Sequence, residues 1–239
     1  LGEIQALGLT LDGSYSVEGD SGFRFDRGTV LTVAADGDAI YIKCGGLTLN
    51  MGASLTFTRH ATPGNNGMYI HGSQRDTLYN GDLELSIEGG ALRAILVIDI
   101  EEYLYGVVPY EMSDSFPLEA LKAQAVAART YAVKRREANR SRTYHLVDTT
   151  QDQVFKGFDP NCENAIAAVD ATRGVCGMYN GGYATCYYTA SNGGQTALAG
   201  DIWGGNADFG YLAIKDDPYD LENPMSVMLS QMVPADGAL

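Results

Sequence analysis

Glu111 is the carboxylate in this sequence best placed to act as a proton donor. It lies in the segment VVPYEM, residues 107–112, between two predicted helices. We expect apolar neighbours in the sequence to disfavour the charged form of this carboxyl, and a carboxyl that stays protonated near neutral pH can serve as a general acid. Taken alone, such a residue is more commonly a solvated surface glutamate or a charge in the first turn of the next helix.

Two predicted helices flank this glutamate. The first begins at Asp99, whose side chain can cap it with Glu102 three residues on, and we expect it to end near Gly106 because Pro109 cannot continue it. The second spans about residues 117–138, where leucines and alanines recur three and four residues apart on one face. The glutamate is therefore expected in a short connector between two rigid elements.

The sequence around this connector resembles a known family. Residues 100–136, IEEYLYGVVPYEMSDSFPLEALKAQAVAARTYAVKRR, are similar to the signature of the stage II sporulation protein D (SpoIID/LytB) family. Further similar motifs follow in order, from DTTQDQVFKG at residues 148–157 to YTASNGGQT at residues 188–196, and the resemblance covers about residues 80–224.

The resemblance implies a lytic transglycosylase that acts on peptidoglycan glycan strands without a cofactor, with Glu111 as its catalytic acid and then its base. The glutamate would protonate the β-1,4 bond between N-acetylmuramic acid and N-acetylglucosamine, and the product would carry a 1,6-anhydro-muramyl end. An ordinary glycosidase needs a second carboxylate, for which Asp114 and Asp148 are the nearest candidates. The LytB branch of the family is named for stimulating an amidase, so a non-catalytic amidase enhancer or wall-binding module is the alternative function.

Residues of several other motifs are expected to bind the substrate. Glycines permit close backbone approach to a ligand, while serine, asparagine and glutamine can pair with sugar hydroxyl and acetamido groups; a tight structural turn is an equally good interpretation of the glycines. Aromatic rings, including the one tryptophan, Trp203, could stack on sugars or lie in the core. The expected substrate-binding residues are Tyr188, Ser191, Asn192, Gly193, Gln195, Gln153 and Arg129. Arg129, expected to face out from its helix, could equally buttress the connector.

A zinc site is not expected. Some members of the family hold zinc with cysteine and histidine near the Asp-Thr-Thr segment. This sequence has Gln151 and Asp152 there, with only His145 nearby, and these residues do not make the four-ligand site that structural zinc requires. We therefore predict no metal and no cofactor.

Composition and charge limit the partners. The 239 residues include 30 acidic and 16 basic ones, a net charge of −14, which makes nucleic acid an unfavourable partner. The sequence contains no run of about 18 apolar residues, the length needed to span a membrane. We expect a leader or membrane anchor to precede Leu1. The resemblance implies an extracytoplasmic protein that meets glycan strands and could meet a cell-wall amidase and sporulation membrane proteins.

The pattern of elements predicts an α+β fold. Residues 1–80 are expected to be β-rich and could fold as a separate lobe, whereas residues 81–239 hold the SpoIID/LytB-like catalytic region with its long alanine-rich helix. Alternating residues predict hairpins around Gly89-Gly90 and around residues 35–38, and runs of strand followed by helix favour antiparallel sheets. A further helix is expected over about residues 163–172.

The four cysteines, Cys44, Cys162, Cys176 and Cys186, permit three pairings. If Asn180-Gly181 form a type I′ turn, Cys176 lies opposite Thr185, so a Cys176–Cys186 disulfide would need a less favoured three-residue loop. We expect the thiols to be mostly buried as small hydrophobic groups.

Overall fold

The computed structural model describes residues 4–17, 22–72, 77–204 and 210–222. The chain divides into two compact units: the larger comprises Leu1–Met178 and Tyr183–Cys186, and the smaller comprises Tyr179–Gly182 and Tyr187–Leu239. Antiparallel sheets and a few helices confirm the α+β class. None of the helices in the described ranges combines the length and the apolar character that crossing a bilayer demands.

Ten strands of the larger unit form two five-stranded antiparallel sheets. They are β1 (Ala6–Asp12), β2 (Ser14–Val17), β3 (Phe23–Phe25), β4 (Val30–Asp36), β5 (Ala39–Cys44), β6 (Leu47–Asn50), β7 (Ser54–His60), β8 (Gly67–Ile70), β9 (Asp82–Glu88) and β10 (Ala91–Val97). The strand orders are β6-β5-β4-β1-β8 and β10-β9-β7-β2-β3. Inward side chains of both sheets, such as Leu9, Ile42, Phe57 and Leu85, share one hydrophobic core.

Both predicted hairpins are confirmed. Ile87 pairs with Leu92 across the Gly89-Gly90 turn, and Val33 pairs with Ile42 across the turn between β4 and β5. Alternation places these side chains on one face, which is why the pattern identified the strands. The second sheet takes strands from both sides of residue 80, and the division of the chain at that residue stays a prediction.

Three helices form the second core of the larger unit: α1 (Ile100–Glu111), α2 (Leu118–Ala138) and α3 (Glu163–Ala171). The bounds of α2 and α3 confirm the predicted helices to within two residues. Alanines at 125, 128, 165 and 168 are fully buried, and their small side chains let α2 and α3 pack closely.

The end predicted for α1 near Gly106 is wrong, because the helix continues through Pro109 to Glu111. Proline removes only its own N–H from the helical ladder, and the backbone N–H of Met112 donates to Val108 O at 3.0 Å, which closes the last turn. Val107 and Val108 are fully buried, so packing against the helical core holds this turn in place.

The predicted turn between the last two strands is also present. Strands β11 (Met178–Tyr179) and β12 (Gly182–Tyr183) flank Asn180 and Gly181, whose φ angles of 49° and 80° are those of a type I′ turn. Ala184 N donates to Gly177 O, the register that places residue 176 opposite residue 185. All four cysteine side chains are only half-buried, less buried than expected.

Candidate active site

Glu111 lies at the carboxyl end of α1, rather than in the connector that follows. Its side chain is half-buried, and among the described residues its carboxylate has no hydrogen-bond or ion-pair partner. Residues 112–117 then lead to α2. The position of this carboxylate is therefore set by how firmly α1 and the connector are held.

A buried ion pair holds the first turn of α1 against α2. Arg129 donates from Nη2 to Oε2 of Glu101 (2.6 Å) and from Nε to Oε1 (3.0 Å), with side-chain exposures of 2% and 4%. Arg129 also donates to the carbonyl of Val175 (3.1 Å), and Glu101 accepts from the backbone N–H of Gly174 (3.0 Å). Removed from water, both charges depend on these partners.

The prediction that Arg129 faces out from its helix is wrong. It is the largest fully buried side chain in the described structure, because a carboxylate from α1 and carbonyls near α3 receive its guanidinium. We therefore assign Arg129 to buttressing α1, the second of the two roles considered for it, rather than to direct contact with a substrate.

A second ion pair joins α1 to the β-sheet region. Arg59 on β7 donates from both terminal nitrogens to the two carboxylate oxygens of Glu102, at 2.9 and 2.7 Å. The hydrogen bond to Glu102 raises the pKa of Arg59. Asp99 caps α1 as expected by accepting from Glu101 N (2.9 Å), whereas Glu102 turns towards Arg59 instead of completing a capping box.

The middle of α1 packs against Phe155. A Cβ placed on Gly106 would lie 2.6 Å from Cε2 of Phe155 and 2.5 Å from the carbonyl oxygen of Gly157, so only glycine permits this approach. The ring of Tyr103 stacks on that of Phe155, with 5.3 Å between the ring centroids. Phe155 and Gly157 therefore pack closely against the middle of α1.

Gln153 belongs to the same support. It is 1% exposed, accepts from the hydroxyl of Tyr103 (3.2 Å) and donates to the carbonyl of Ala128 on α2 (3.4 Å). Because its amide joins α1 to α2 in the interior, we assign it a positioning role rather than the substrate contact expected from the sequence.

Asp114 ties the connector to α3. Its Oδ1 accepts from the backbone N–H of Ala165 (2.7 Å), and its carbonyl accepts from the side chain of Asn164 (3.0 Å). The residue at the N-cap position of α3, Cys162, makes no side-chain capping bond, so an aspartate distant in sequence caps the helix instead. Asp114 thus caps α3 in this structure. Asp148, the other candidate for a second carboxylate, forms an ion pair in which its Oδ2 lies 3.5 Å from Nζ of Lys156.

Asp152, in the segment where some family members bind zinc, makes protein contacts. It accepts hydrogen bonds from Tyr131 (2.8 Å), Arg135 (2.7 Å) and the backbone N–H of Val147 (3.0 Å). No three histidine, cysteine, aspartate or glutamate side chains of the described residues are grouped as metal ligands. The expectation that zinc is absent stays a prediction.

The remaining predicted site residues belong to the smaller unit, which also contains α4 (Ala199–Trp203) and α5 (Pro218–Glu222). Gly193 has a positive φ of 71°, as the motif predicted. Asn192 donates to Asp217 (3.0 Å) and Gln195 donates to Asp216 (2.7 Å). These contacts favour a structural turn for the loop and direct both amides towards protein acceptors.

Two expected aromatic residues and one serine complete the set. The backbone N–H of Gly193 donates to Ser191 Oγ at 3.3 Å, and the ring of Tyr188 is exposed. The side chain of Trp203 lies outside the described residues. Tyr188, Ser191, Asn192, Gly193 and Gln195 thus share one unit, while Arg129, Gln153 and Glu111 share the other.

Sequence reasoning missed the partners that hold α1. Glu101, Arg59 and Gly106 were not identified as site residues, although a glycine inside a predicted helix is a signal of close packing. Nothing local distinguishes Glu101 from Glu102, or identifies the distant arginine that each one meets.

Comparison with known proteins identifies relatives of this chain. Residues 88–179 match the model of the SpoIID family, described as stage II sporulation protein. The chain is 39% identical over 128 residues to a Bacillus subtilis (strain 168) protein named amidase enhancer, covering 54% of this chain and 17% of that protein.

Two relatives are named stage II sporulation protein D. Identity is 34% over 142 residues with the Bacillus amyloliquefaciens protein (53% of this chain, 41% of that protein) and 30% over 164 residues with that of Bacillus subtilis strain 168 (62% and 47%). The chain thus spans less than half the length of each relative. The matched segment contains α1, α2, α3 and Glu111, and the family model and these relatives support the SpoIID family for this segment of the chain.

Proposed function

We propose that this protein is a peptidoglycan lytic transglycosylase in which Glu111 serves as acid and then as base. The observation that carries the proposal is the placement of one half-buried carboxylate at the end of a helix held at its start, its middle and its following connector. Such anchoring suits a catalytic group, because a small displacement of a reacting atom greatly slows a reaction.

The proposed reaction needs one carboxyl group. Glu111 donates its proton to the bridging oxygen of the β-1,4 bond between N-acetylmuramic acid and N-acetylglucosamine, and the C1–O bond breaks through an oxocarbenium-like transition state. The glucosamine leaves with that proton on its new hydroxyl. The ionised Glu111 then takes the proton from the C6 hydroxyl of muramic acid, whose oxygen closes on C1 to form the 1,6-anhydro ring.

The contacts of Asp114 favour this route over hydrolysis by a carboxylate pair. A hydrolase would use a second carboxylate as a nucleophile or to activate water, whereas Oδ1 of Asp114 accepts a hydrogen bond from the backbone of α3. A substrate in the cell wall also implies that the protein acts outside the cytoplasmic membrane, which is part of this proposal.

Product analysis tests the proposal. Purified glycan strands freed of stem peptides are incubated with wild type, Glu111→Gln and Glu119→Gln, and the products are identified by mass spectrometry. Glu119 is a matched control, since its side chain is 83% exposed on α2. We expect anhydro-muramyl ends from wild type and Glu119→Gln, and none from Glu111→Gln. Reducing ends one water heavier would instead identify a muramidase.

A second function, stimulation of a cell-wall amidase, is favoured by the relative named amidase enhancer. Release of stem peptides by an added amidase is measured with and without the chain. Stimulation that survives Glu111→Gln, combined with intact wall binding and no glycan cleavage by wild type, would replace the transglycosylase proposal with the enhancer.

A further inference from the structure

A group of arginines lies at the end of α2 that is remote from Glu111. Arg136, Arg140 and Arg142 are exposed, and Glu137 is the one carboxylate in residues 136–144. At 1.5 Å per residue, the 21 residues of α2 place this group about 30 Å along the helix from the connector. It is therefore separate from the candidate active site.

These three arginines lack a carboxylate partner among the described residues, whereas eight other described cations have one. They form no ion pair with any residue in the described ranges, although acidic residues outnumber basic ones by 30 to 16. The paired cations are Arg27, Arg59, Arg93, Lys122, Arg129, Arg135, Lys156 and Arg173. Three arginines without a carboxylate partner in the described part of the chain thus lie close together in the sequence, at positions 136, 140 and 142 of a strongly acidic protein.

The helix dipole does not account for the cluster. Cations stabilise the last turn of a helix, which explains Arg135 and Arg136. Arg140 and Arg142 lie beyond Ala138, where α2 ends, and the effect of the dipole falls off within a turn.

The segment is an exposed turn that is tied by hydrogen bonds to Asn139. Buried Asn139 donates from its side chain to the carbonyl of His145 (2.7 Å) and accepts at its own carbonyl from Arg142 N (2.9 Å). Residues 140–144 are all exposed, and the ring of Tyr144 is 46% exposed beside the arginines. A linear polyanion is usually held in a groove, whereas an exposed turn can touch a flat surface.

We propose that this arginine tip, residues 136–144, docks the protein on a surface of anionic lipid headgroups. Guanidinium groups match phosphate geometry with paired N–H donors. Tyrosine suits the boundary between headgroups and acyl chains because its ring is apolar and its hydroxyl is polar. The acidic remainder of the chain is repelled by the same surface, so the tip also orients the molecule.

Vesicle flotation with the whole chain tests the inference. Vesicles of phosphatidylglycerol mixed with phosphatidylcholine are compared with pure phosphatidylcholine vesicles. The tip variant carries Arg136→Gln, Arg140→Gln and Arg142→Gln; the control carries Lys43→Gln, Arg93→Gln and Arg173→Gln and changes net charge equally. We expect wild type and control to bind the anionic vesicles, and the tip variant to partition about a hundredfold more weakly. Binding should also weaken as salt is raised.

Several results would overturn the inference. Equal losses in both variants would mean that overall charge governs binding, and equal binding to neutral vesicles would remove the role of the headgroups. Retention of soluble polyphosphate or polyglutamate without binding to vesicles would reassign the tip to a soluble polyanion. Failure of correctly folded wild type to bind the anionic vesicles would reject the docking surface outright. None of these readouts depends on glycan cleavage.

Discussion

Removal of Arg129 is predicted to destabilise the protein more than any surface substitution in α2. Arg129→Met would leave the carboxylate of Glu101 at 4% side-chain exposure without its charge partner. Breaking a buried pair by removing one member costs about 3–5 kcal/mol, because the remaining charge is buried and uncompensated. Glu101→Leu should lower the free energy of unfolding by a similar amount, because it leaves the buried guanidinium of Arg129 without its charge partner.

The double variant separates pairing from packing. Glu101→Leu with Arg129→Met removes both charges, but it leaves the N–H of Gly174 and the carbonyl of Val175 without their present partners. We therefore expect it to remain less stable than wild type, yet to be less destabilised than the sum of the single variants by about 2 kcal/mol.

Urea unfolding followed by circular dichroism measures each free energy of unfolding. Lys122→Met is the matched control, since Lys122 lies on the same helix and pairs with exposed Glu119 at 2.7 Å. An exposed pair of this kind contributes about 0–1 kcal/mol. The reasoning fails if Arg129→Met stays within about 1 kcal/mol of wild type, or if the two single effects simply add.

Three other contacts yield predictions. Asp114→Ala should lower stability by about 1 kcal/mol through loss of the cap on α3, while Asp114→Asn keeps most of it; equal unfolding midpoints for wild type and Asp114→Ala would contradict the capping role. Gly106→Ala should cost about 1–3 kcal/mol because its methyl group meets Phe155, and an unchanged melting temperature would refute that contact. Arg59→Lys should lose the bidentate ion pair with Glu102 and should lower the free energy of unfolding by about 1 kcal/mol at low salt. If this loss is electrostatic, the difference between wild type and variant should be smaller in 1 M salt.

Local residue patterns were sufficient to predict many elements. The hairpin around Gly89-Gly90 follows from alternation and turn residues, and the start of α1 follows from Asp99, because capping involves neighbouring backbone groups. The type I′ turn at Asn180 was predictable for the same reason. The resemblance, rather than composition, directed attention to Glu111.

Local patterns were insufficient where an element ends inside a packed core. Pro109 was expected to stop α1, but it removes a single N–H, and the burial of Val107 and Val108 stabilises the turn that contains it. The local sequence shows only that the proline disfavours continuation of the helix. The compensating contacts come from other helices, so they are absent from the local pattern.

The supports of the candidate site were decided by tertiary structure. Arg129 was expected at the surface because an arginine is usually solvated, yet Glu101 meets it from 28 residues away in the chain. Likewise, Asp114 caps a helix that begins some fifty residues later. The sequence by itself determined which side chains could donate, accept or carry charge, whereas the fold determined their partners, because hydrogen bonds and ion pairs depend on distances in space between residues remote in sequence.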